Sequence, residues 1–349
     1  KYFYLFKKKK LIFKQNDYSI FENNIKMHEK LNYKNFLLLT TSGTTQSPKF
    51  VRLSTSNLED NVKKIKDYLN INSKHTTITT MPLGYSYGLS VLNSHLSVGA
   101  KIFINNRSIL EKNFWNIIKI KKINSLNGVP EFYEFLKKID FKKRVSKSIK
   151  YLTQAGGKLS NETLSYFGKI CVEKKIKFYV MYGQTETSPR MTYLAWKNFF
   201  RKLGSVGKPL KGYKIELQDK NGKKIKRHEV NGEIIFSGKN VCLGYAKIFS
   251  DLKKGDTNKG ILKTGDIGKF DKSKHLFVVG RKDRYIKLFG RRCDLADVEK
   301  FLIKNGYIAK CYFKKPNIIV LIKNNYNSQK IKEILGKFLK INHNFISVE

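Results

Sequence analysis

The stretch from Lys147 to Glu186 reads KSIKYLTQAGGKLSNETLSYFGKICVEKKIKFYVMYGQTE and decides the fold. Its first part, KSIKYLTQAGG, is an apolar run closed by glycines, which predicts a strand that ends in a turn. NETLSYFGKICVEKK has the pattern of a capped helix, and KFYVMYG is a second strand that ends at a glycine. Strand, helix and strand in succession are typical of an α/β sheet, whose functional groups gather at the carboxyl ends of the strands.

Strand and helix patterns alternate in the same way before this stretch. KNFLLLT (Lys34 to Thr40), HTTITTMP and SVGAKIFI predict strands. SNLEDNVKKIKDYLNI predicts a helix with Ser56 as its N-cap, and NFWNIIKIKKI and PEFYEFLKKI predict two more, the last with proline in its first turn. The pattern changes from about Gly204 to short strands and glycine turns, which indicates a β-rich subdomain. Beyond Arg281 a small α+β unit follows.

We therefore predict an α/β protein of two unequal domains. The large N-terminal domain, residues 1–282, contains mixed sheets packed with helices and includes the β-rich subdomain at about 204–282. The small C-terminal domain, residues 283–349, is expected to be α+β. The expected boundary lies between Gly280 and Tyr285.

The net charge of +43 raises the question of a polyanionic partner. Ten of the 70 basic residues are arginine and sixty are lysine, spread along the whole chain. Because arginine is the preferred residue for bidentate phosphate recognition, this balance favours a lysine-rich solvated surface over a specific nucleic-acid site. Such a surface still predicts weak, salt-sensitive binding of polyanions.

The four cysteines, Cys171, Cys242, Cys293 and Cys311, form no CxxC pair and have no histidine at metal-ligand spacing. This pattern argues against a zinc site or a disulfide framework. No apolar run approaches the roughly 18 residues of a membrane helix, and no signal-peptide pattern is present. We expect a cytoplasmic protein with no membrane span.

The segment TTSGTTQSPKF (Thr40 to Phe50) follows a predicted strand and is rich in hydroxyl groups. Hydroxyls and free backbone N–H groups can donate to a phosphate, Gly43 allows close approach, and Lys49 adds charge. The segment is not a P-loop, because G-x-x-x-x-G-K-[ST] is absent. Taken alone, it fits a phosphate site and an ordinary polar turn equally well.

Six further motifs follow in order along the chain. They are AGGKLS (Ala155 to Ser160), VMYGQTE (Val180 to Glu186), GSVGKPLKG (Gly204 to Gly212), GEIIFSGKNVCLGY (Gly232 to Tyr245), LKTGD (Leu262 to Asp266) and GRKDRYIKLFGRR (Gly280 to Arg292). Together with the Thr40 to Phe50 segment, this series resembles the acyl-adenylate-forming superfamily, which includes acyl-CoA synthetases, adenylation domains of peptide synthetases and luciferase-like enzymes. Gln46 stands where the family's phosphate loop has a second glycine.

The resemblance implies a role for each matching residue. Thr185, Glu186, Arg292 and Lys49 would be catalytic, with Glu186 holding Mg²⁺ and Arg292 contacting a phosphate. Asp283 would be the hinge of the small domain, which the resemblance implies is mobile and, in this sequence, incomplete at its end. The residues implied in nucleotide binding are Thr41, Ser42, Gly43, Thr44 and Thr45 in the phosphate loop, Gly156 and Gly157 beside the adenine, Tyr182, Gly183 and Gln184 in the YGQTE motif, and Asp266 and Arg281 at the ribose.

MPLGYSYGL (Met81 to Leu89) lies where family members often carry a histidine, and Tyr85 replaces it. Tyr85 is either an aromatic plug of the acyl pocket or a core residue. Adenylation domains for amino acids usually present an aspartate in this region for the substrate ammonium group. None occurs between Met81 and Gly99, so a carboxylic acid without an α-amino group is favoured.

The chain departs from the family pattern at both ends. Only 39 residues precede Thr40, so the usual N-terminal subdomain is expected to be minimal or missing. The family's C-terminal catalytic lysine would be expected just beyond INHNFISVE, where the chain ends at Glu349. We expect that lysine in the natural-length protein; the alternative is a protein that adenylates poorly, because loss of one donor typically costs roughly 10² to 10³ in rate.

The resemblance predicts an enzyme that uses ATP and Mg²⁺ to convert a small carboxylic acid to an acyl-adenylate. The acyl group would then pass to a thiol, either coenzyme A or the phosphopantetheine of a carrier protein, and an acidic carrier protein would suit the lysine-rich surface. Two alternatives stay open. One is a degenerate, non-catalytic AMP/ATP-binding protein, and the other is a basic nucleic-acid-binding protein, which would leave the ordered motifs unexplained.

Overall fold

A computed structural model describes residues 9–15, 18–23, 32, 34, 36–40, 49–288, 291–314, 317–339 and 341–349. Its α-helices are α1 (Thr55–Leu69), α2 (Ser86–Leu96), α3 (Lys112–Ile120), α4 (Pro130–Lys138), α5 (Phe141–Arg144), α6 (Asn161–Glu173), α7 (Leu295–Lys304) and α8 (Ser328–Leu339). Its first eleven strands are β1 (Lys9–Gln15), β2 (Tyr18–Asn23), β3 (Leu37–Thr40), β4 (Phe50–Leu53), β5 (Thr76–Ile78), β6 (Lys101–Phe103), β7 (Ser125–Gly128), β8 (Tyr151–Gln154), β9 (Lys177–Tyr182), β10 (Thr192–Leu194) and β11 (Lys208–Pro209). The later strands are β12 (Lys214–Gln218), β13 (Gly232–Ser237), β14 (Gly244–Ala246), β15 (Ile261–Phe270), β16 (Leu276–Arg281), β17 (Tyr285–Leu288), β18 (Arg291–Asp294), β19 (Ala309–Lys314), β20 (Asn317–Ile322) and β21 (Ile346–Val348).

The main sheet has the strand order β11-β10-β9-β8-β7-β5-β6. Strands β6, β5, β7, β8 and β9 are parallel to one another, whereas β10 and β11 add an antiparallel edge. Strands β7 and β8 are buried along their whole length, as parallel strands covered on both faces must be. The largest buried apolar cluster lies against this sheet and includes Phe114, Leu126, Leu152 and Phe167.

Before residue 282, β1 and β2 form a two-stranded antiparallel sheet, and two larger antiparallel sheets accompany the main sheet. One has the order β12-β13-β15-β16 and the other β14-β4-β3. In the first, Asp266 of β15 lies opposite Arg281 of β16. This register places a carboxylate and a guanidinium side by side at the end of the strand pair.

The C-terminal residues form a small α+β unit with an apolar core of its own. Strands β19, β20 and β21 form one sheet, and α7 and α8 contribute Val298, Leu302, Ile331 and Leu335 to its buried cluster. Every member of that cluster lies between Leu295 and Val348. The boundary between Gly280 and Tyr285 stays a prediction, which this separate core supports.

The N-terminus of α1 differs from the sequence prediction. Ser54, not Ser56, is the N-cap: its hydroxyl accepts a 3.2 Å hydrogen bond from the backbone N–H of Asn57. The Asn57 side chain in turn accepts from the Ser54 N–H at 3.0 Å, which closes a capping box. The helix therefore begins two residues earlier than the pattern indicated.

Among the described helices, none combines the length and apolarity that crossing a membrane requires.

Candidate active site

The carboxyl end of β9 carries the YGQTE motif out of the main sheet. The strand ends at Tyr182, and a single 3₁₀ turn follows at Thr185–Thr187. Gly183 is required between them, because a Cβ there would lie 1.5 Å from the carbonyl oxygen of Pro189. The chain thus folds tightly back on itself just after the strand. This places Gln184, Thr185 and Glu186 at the edge where α/β sheets bind their ligands.

Asp266 is the centre of a hydrogen-bonded cluster. It is only 6% exposed. Its Oδ2 accepts from the Tyr182 hydroxyl at 2.6 Å and from Gln184 Nε2 at 2.7 Å, while its Oδ1 accepts from Arg281 Nε at 2.9 Å. Burial, together with the neighbouring carboxylate, raises the pKa of Tyr182 well above its usual value, so the phenol stays a donor. The cluster joins the motifs YGQTE, LKTGD and GRKDR.

Glu186 is held from two sides. Its Oε1 accepts from the Tyr245 hydroxyl at 2.7 Å, and its backbone carbonyl accepts from the Cys242 N–H at 2.8 Å. Lys49 Nζ lies 4.1 Å from the centre of the Tyr245 ring. Burial first, and Glu186 second, raise the pKa of Tyr245, which therefore remains protonated. Lys49, Tyr245 and Glu186 thus form one contiguous polar surface.

Glu186 fits a Mg²⁺ site that is completed by phosphates. Among the described residues, no group of three or more metal-ligating side chains lies together. Mg²⁺ commonly binds through one or two carboxylates plus phosphate oxygens and water, so one carboxylate suffices. Only Oε1 of Glu186 is engaged by Tyr245.

The N-terminus of α2 closes the other side of the site. The Ser86 hydroxyl lies 3.2 Å from that of Thr185. Gly156, at φ +85°, has no room for a side chain, since a Cβ would lie 2.6 Å from the Tyr85 hydroxyl oxygen. A Cβ on Gly157 would meet the ring of Pro130 at 2.9 Å. The two glycines therefore form a close-fitting wall beside Tyr85.

The structure brings together many of the residues predicted from sequence. The carboxyl end of β9 is surrounded by eleven of them: Lys49, Tyr85, Gly156, Gly157, Tyr182, Gly183, Gln184, Thr185, Glu186, Asp266 and Arg281. Tyr182 is largely buried, and its hydroxyl contacts Asp266. Thr41, Ser42, Gly43, Thr44 and Thr45 lie outside the described residues, as do the side chains of Asp283 and Arg292. The individual roles of all these residues remain predictions.

Sequence reasoning missed three supporting residues. Tyr245, the last residue of the GEIIFSGKNVCLGY motif, donates a hydrogen bond to Glu186, and no role had been predicted for it. Asn240, in the same motif, donates through Nδ2 to the carbonyls of Thr187 and Arg190. Asn61 Nδ2 donates to the same Arg190 carbonyl at 2.9 Å. Only their membership of a motif could have signalled the first two, because these contacts span long distances in sequence.

Residues 10–246 match the family model described as AMP-binding enzyme. The chain belongs to this family. The match covers β1 to β14 and includes every described element of the site except the LKTGD and GRKDR segments. The predicted superfamily is therefore confirmed.

The sequence of this member of the AMP-binding enzyme family is also similar to those of individual curated proteins. It is 28% identical over 265 residues to the 2-succinylbenzoate–CoA ligase of Enterococcus faecalis, which covers 76% of this chain and 53% of the relative. It is 30% identical over 278 residues to the ligase of the same name from Bacillus licheniformis, covering 79% and 56%. The chain thus spans about half the length of these curated relatives.

Solved structures establish the fold. O-succinylbenzoate coenzyme A synthetase from Bacillus subtilis, in complex with AMP, superposes with a TM-score of 0.71 at 23% identity, over 91% of this chain and 66% of that one. The McyG A-PCP complexed with phenylalanyl-adenylate gives a TM-score of 0.69 at 20% identity, covering 91% and 63%. The predicted fold class, α/β with several mixed sheets, is confirmed.

Proposed function

We propose that this AMP-binding enzyme uses ATP to activate a small carboxylic acid as an acyl-adenylate and then transfers the acyl group to the thiol of coenzyme A. The observation that carries the proposal is the cluster of Tyr182, Gln184 and Arg281 around Asp266, with Thr185 and Glu186 beside it at the end of β9. Membership of the AMP-binding family and the names of the ligase relatives support the same activity.

Asp266 is suited to bind the ribose. An ionised carboxylate can accept about four hydrogen bonds, and its three present donors leave room for one more. A second ribose hydroxyl requires one present donor to move. Arg281, whose side chain is 55% exposed, is the donor most easily displaced. Tyr182 and Gln184 would continue to hold the carboxylate in place.

Thr185, Glu186 and Lys49 are suited to the phosphates. Ser86 positions the Thr185 hydroxyl, which would donate to the α-phosphate. Lys49 would add positive charge next to the phosphate loop, and Arg292 would contact a phosphate. Mg²⁺, held by Glu186, would neutralise phosphate charge that this carboxylate alone would repel.

The chemistry consists of two substitutions. An oxygen of the substrate carboxylate attacks the α-phosphorus, a P–O bond forms, and the bond to pyrophosphate breaks. The coenzyme A thiolate then attacks the acyl carbon, a C–S bond forms, and AMP leaves. The protein contributes mainly by positioning the reactants and by electrostatic stabilisation from preorganised donors. We propose that the small domain turns about Asp283 between the two steps.

We propose 2-succinylbenzoate as the first acid to test, because both curated relatives are named for it. The absence of aspartate between Met81 and Gly99 supports an acid that lacks an α-amino group. Coenzyme A is the proposed acceptor because the same relatives are named as CoA ligases, and a carrier protein is the alternative. We place the reaction in the cytoplasm.

The test is acid-dependent exchange of labelled pyrophosphate into ATP, with the purified protein and a panel that includes 2-succinylbenzoate and other short, branched and aromatic acids. We expect exchange that Glu186→Gln and Asp266→Asn each reduce at least 10²-fold. Glu173→Gln, which alters an exposed carboxylate on α6, should leave exchange unchanged. AMP binding without exchange for any acid would instead indicate a non-catalytic nucleotide-binding protein.

A further inference from the structure

Arg190 is a buried cation that has no anionic partner within the part of the chain that the structure describes. It is 2% exposed. Its Nη2 lies 3.3 Å from the Ser90 hydroxyl, and its guanidinium lies 4.8 Å from the centre of the Tyr87 ring. Its side chain also contacts Tyr68, and its Nε has no hydrogen-bond partner among the described residues. No salt bridge between described residues includes it. Burying a charge is costly unless it is paired, so this arrangement calls for an explanation.

Arg52 is the other fully buried arginine among the residues that the structure describes, and it has an evident structural role. Its terminal nitrogens donate to three carbonyl oxygens, those of Lys254, Leu243 and Gly255. These carbonyls belong to different loop segments, and Arg52 connects the segments through these hydrogen bonds. The side chain of Arg190 binds no such set of carbonyls, since the groups that it contacts are the hydroxyls of Ser90 and Tyr68 and the ring of Tyr87, all of them neutral. Its charge is therefore available to a ligand.

The backbone of Arg190 is fixed relative to the reaction centre. Its carbonyl accepts hydrogen bonds of 2.9 Å from both Asn61 and Asn240. Asn240 also binds the carbonyl of Thr187, in the 3₁₀ turn that carries Glu186. The backbone of Arg190 is consequently fixed relative to the turn that carries Thr185 and Glu186, as the backbone of a specificity determinant must be.

The side chains at the start of α2 lead from the reaction centre to Arg190. Ser86 contacts Thr185, where the reacting carboxylate would meet the α-phosphate. Tyr85 lies against Gly156, and its ring is 6.4 Å from that of Tyr87, which stacks on the guanidinium. Tyr85 is half-buried, and no hydrogen bond holds its hydroxyl among the described residues, so it can move aside for a ligand.

We propose that Arg190 is a specificity-determining residue that binds a second carboxylate at the far end of the substrate acid. The proposal rests on the proposed adenylation function and narrows its substrate class to dicarboxylic acids. The reacting carboxylate would lie at Thr185 and the distal one at Arg190, beyond the ring of Tyr85. Guanidinium and carboxylate form strong charge-assisted hydrogen bonds, which would supply the anion that this buried cation lacks.

A matched pair of acids tests this proposal. 2-Succinylbenzoate and 4-oxo-4-phenylbutanoate share the reacting chain and the ring, and differ only in the ring carboxylate. In pyrophosphate exchange we expect kcat/KM for the diacid to exceed that for the monoacid by about 10²-fold or more. Arg190→Met should abolish this preference by lowering the diacid value, while the monoacid value stays within about threefold. Arg190→Lys should retain part of the preference.

Equilibrium binding of the two acids separates this proposal from the proposed function. If exchange is absent but the wild-type chain binds the diacid more tightly, and Arg190→Met binds both alike, the Arg190 site stands and the catalytic proposal fails. Equal use or equal binding of the two acids by the wild type would overturn the site. So would an equal loss for both acids in Arg190→Met. Arg107→Met, at an exposed position, is the control and should match the wild type.

Discussion

At the scale of single residues, the contact between Tyr245 and Glu186 is the most informative one in the candidate site. A half-buried carboxylate that must meet a metal and phosphates needs a fixed orientation, and the 2.7 Å hydrogen bond from Tyr245 supplies it. Since the phenol stays protonated, it donates over the whole physiological pH range. Tyr245 is therefore a positioning residue that acts through Glu186.

Tyr245→Phe removes only this donor. A hydrogen bond to a charged group contributes about 1.5 to 3 kcal/mol, so we expect the KM for Mg²⁺ and ATP in the exchange assay to rise about tenfold. The free energy of unfolding should change by no more than about 1 kcal/mol. Tyr312→Phe removes an exposed hydroxyl on β19 and serves as the control. A loss of stability with an unchanged KM would show that Tyr245 is purely structural.

His95 on α2 is predicted to make stability depend on pH. It is 1% exposed, and burial lowers its pKa to about 4. Its Nδ1 lies 2.8 Å from the Val91 carbonyl and its Nε2 3.2 Å from the Tyr151 hydroxyl, which suits a neutral ring that donates from Nδ1. The unfolded chain binds a proton at a higher pH than the folded one. Stability from this residue is therefore present above about pH 6.5 and is lost as the pH falls towards 4.

Urea unfolding at pH 7.0 and pH 4.5 measures this effect. We expect the wild type to lose about 2 to 3 kcal/mol more than His95→Gln over this interval. His275, whose pKa burial also lowers, is present in both proteins and cancels from the comparison. His228→Gln, at an exposed position, should behave like the wild type. Equal pH dependence in the wild type and His95→Gln would contradict the prediction.

Sequence reasoning at this scale can select a candidate residue where that residue lies in a recognisable motif. Thr185, Glu186 and Asp266 were predicted that way, and the structure places them around the end of β9, while their roles stay predictions. Arg190 and Asn61 were not predicted, because their partners are distant in sequence and their surroundings carry no pattern. The unpaired state of a buried arginine is a property of packing. It becomes visible only once the neighbours are known.

At the scale of elements, the N-terminus of α1 allows a prediction with its own control. Ser54 caps the helix in the structure, whereas the sequence pattern indicated Ser56. Loss of an N-cap hydroxyl costs about 1 kcal/mol, so Ser54→Ala should lower the free energy of unfolding by about that amount. Ser56→Ala, on an exposed residue of the same helix, should change it by less than about 0.5 kcal/mol. Urea denaturation compares the two, and the reverse order would restore the sequence-based cap.

Elements with a clear apolar period were predicted well. KFYVMYG became β9, NETLSYFGKICVEKK became α6, and PEFYEFLKKI became α4 with its proline in the first turn. Helix α2, SYGLSVLNSHL, was not predicted, since its glycine and serines lower helix propensity. It is held by tertiary contacts, such as those of the Tyr87 hydroxyl, which donates to the Thr153 carbonyl and lies 2.6 Å from the Thr153 hydroxyl. Asp266 likewise lies within β15 although T-G-D alone suggests a turn.

At the scale of the whole molecule, the net charge and the apolar clusters bear on different properties. The net charge of +43 comes mainly from dispersed lysines and affects solubility and binding of anions. The apolar clusters, in contrast, divide the chain. The cluster from Leu295 to Val348 contains no residue of the main sheet, while the residues predicted to contact adenine and ribose lie between Gly156 and Arg281. Nucleotide binding should therefore tolerate damage to the C-terminal core.

Ile331→Ala tests this separation. Ile331 is fully buried in the C-terminal cluster, and truncation of such a side chain costs about 2 to 5 kcal/mol. We expect trypsin to digest residues 291–349 faster, while the affinity for AMP stays within about twofold of the wild type. Ile303→Ala, at a 60% exposed position of α7, should alter neither measurement. If AMP affinity fell more than tenfold along with the C-terminal core, the two parts would be one cooperative unit, and the predicted boundary between Gly280 and Tyr285 would be wrong.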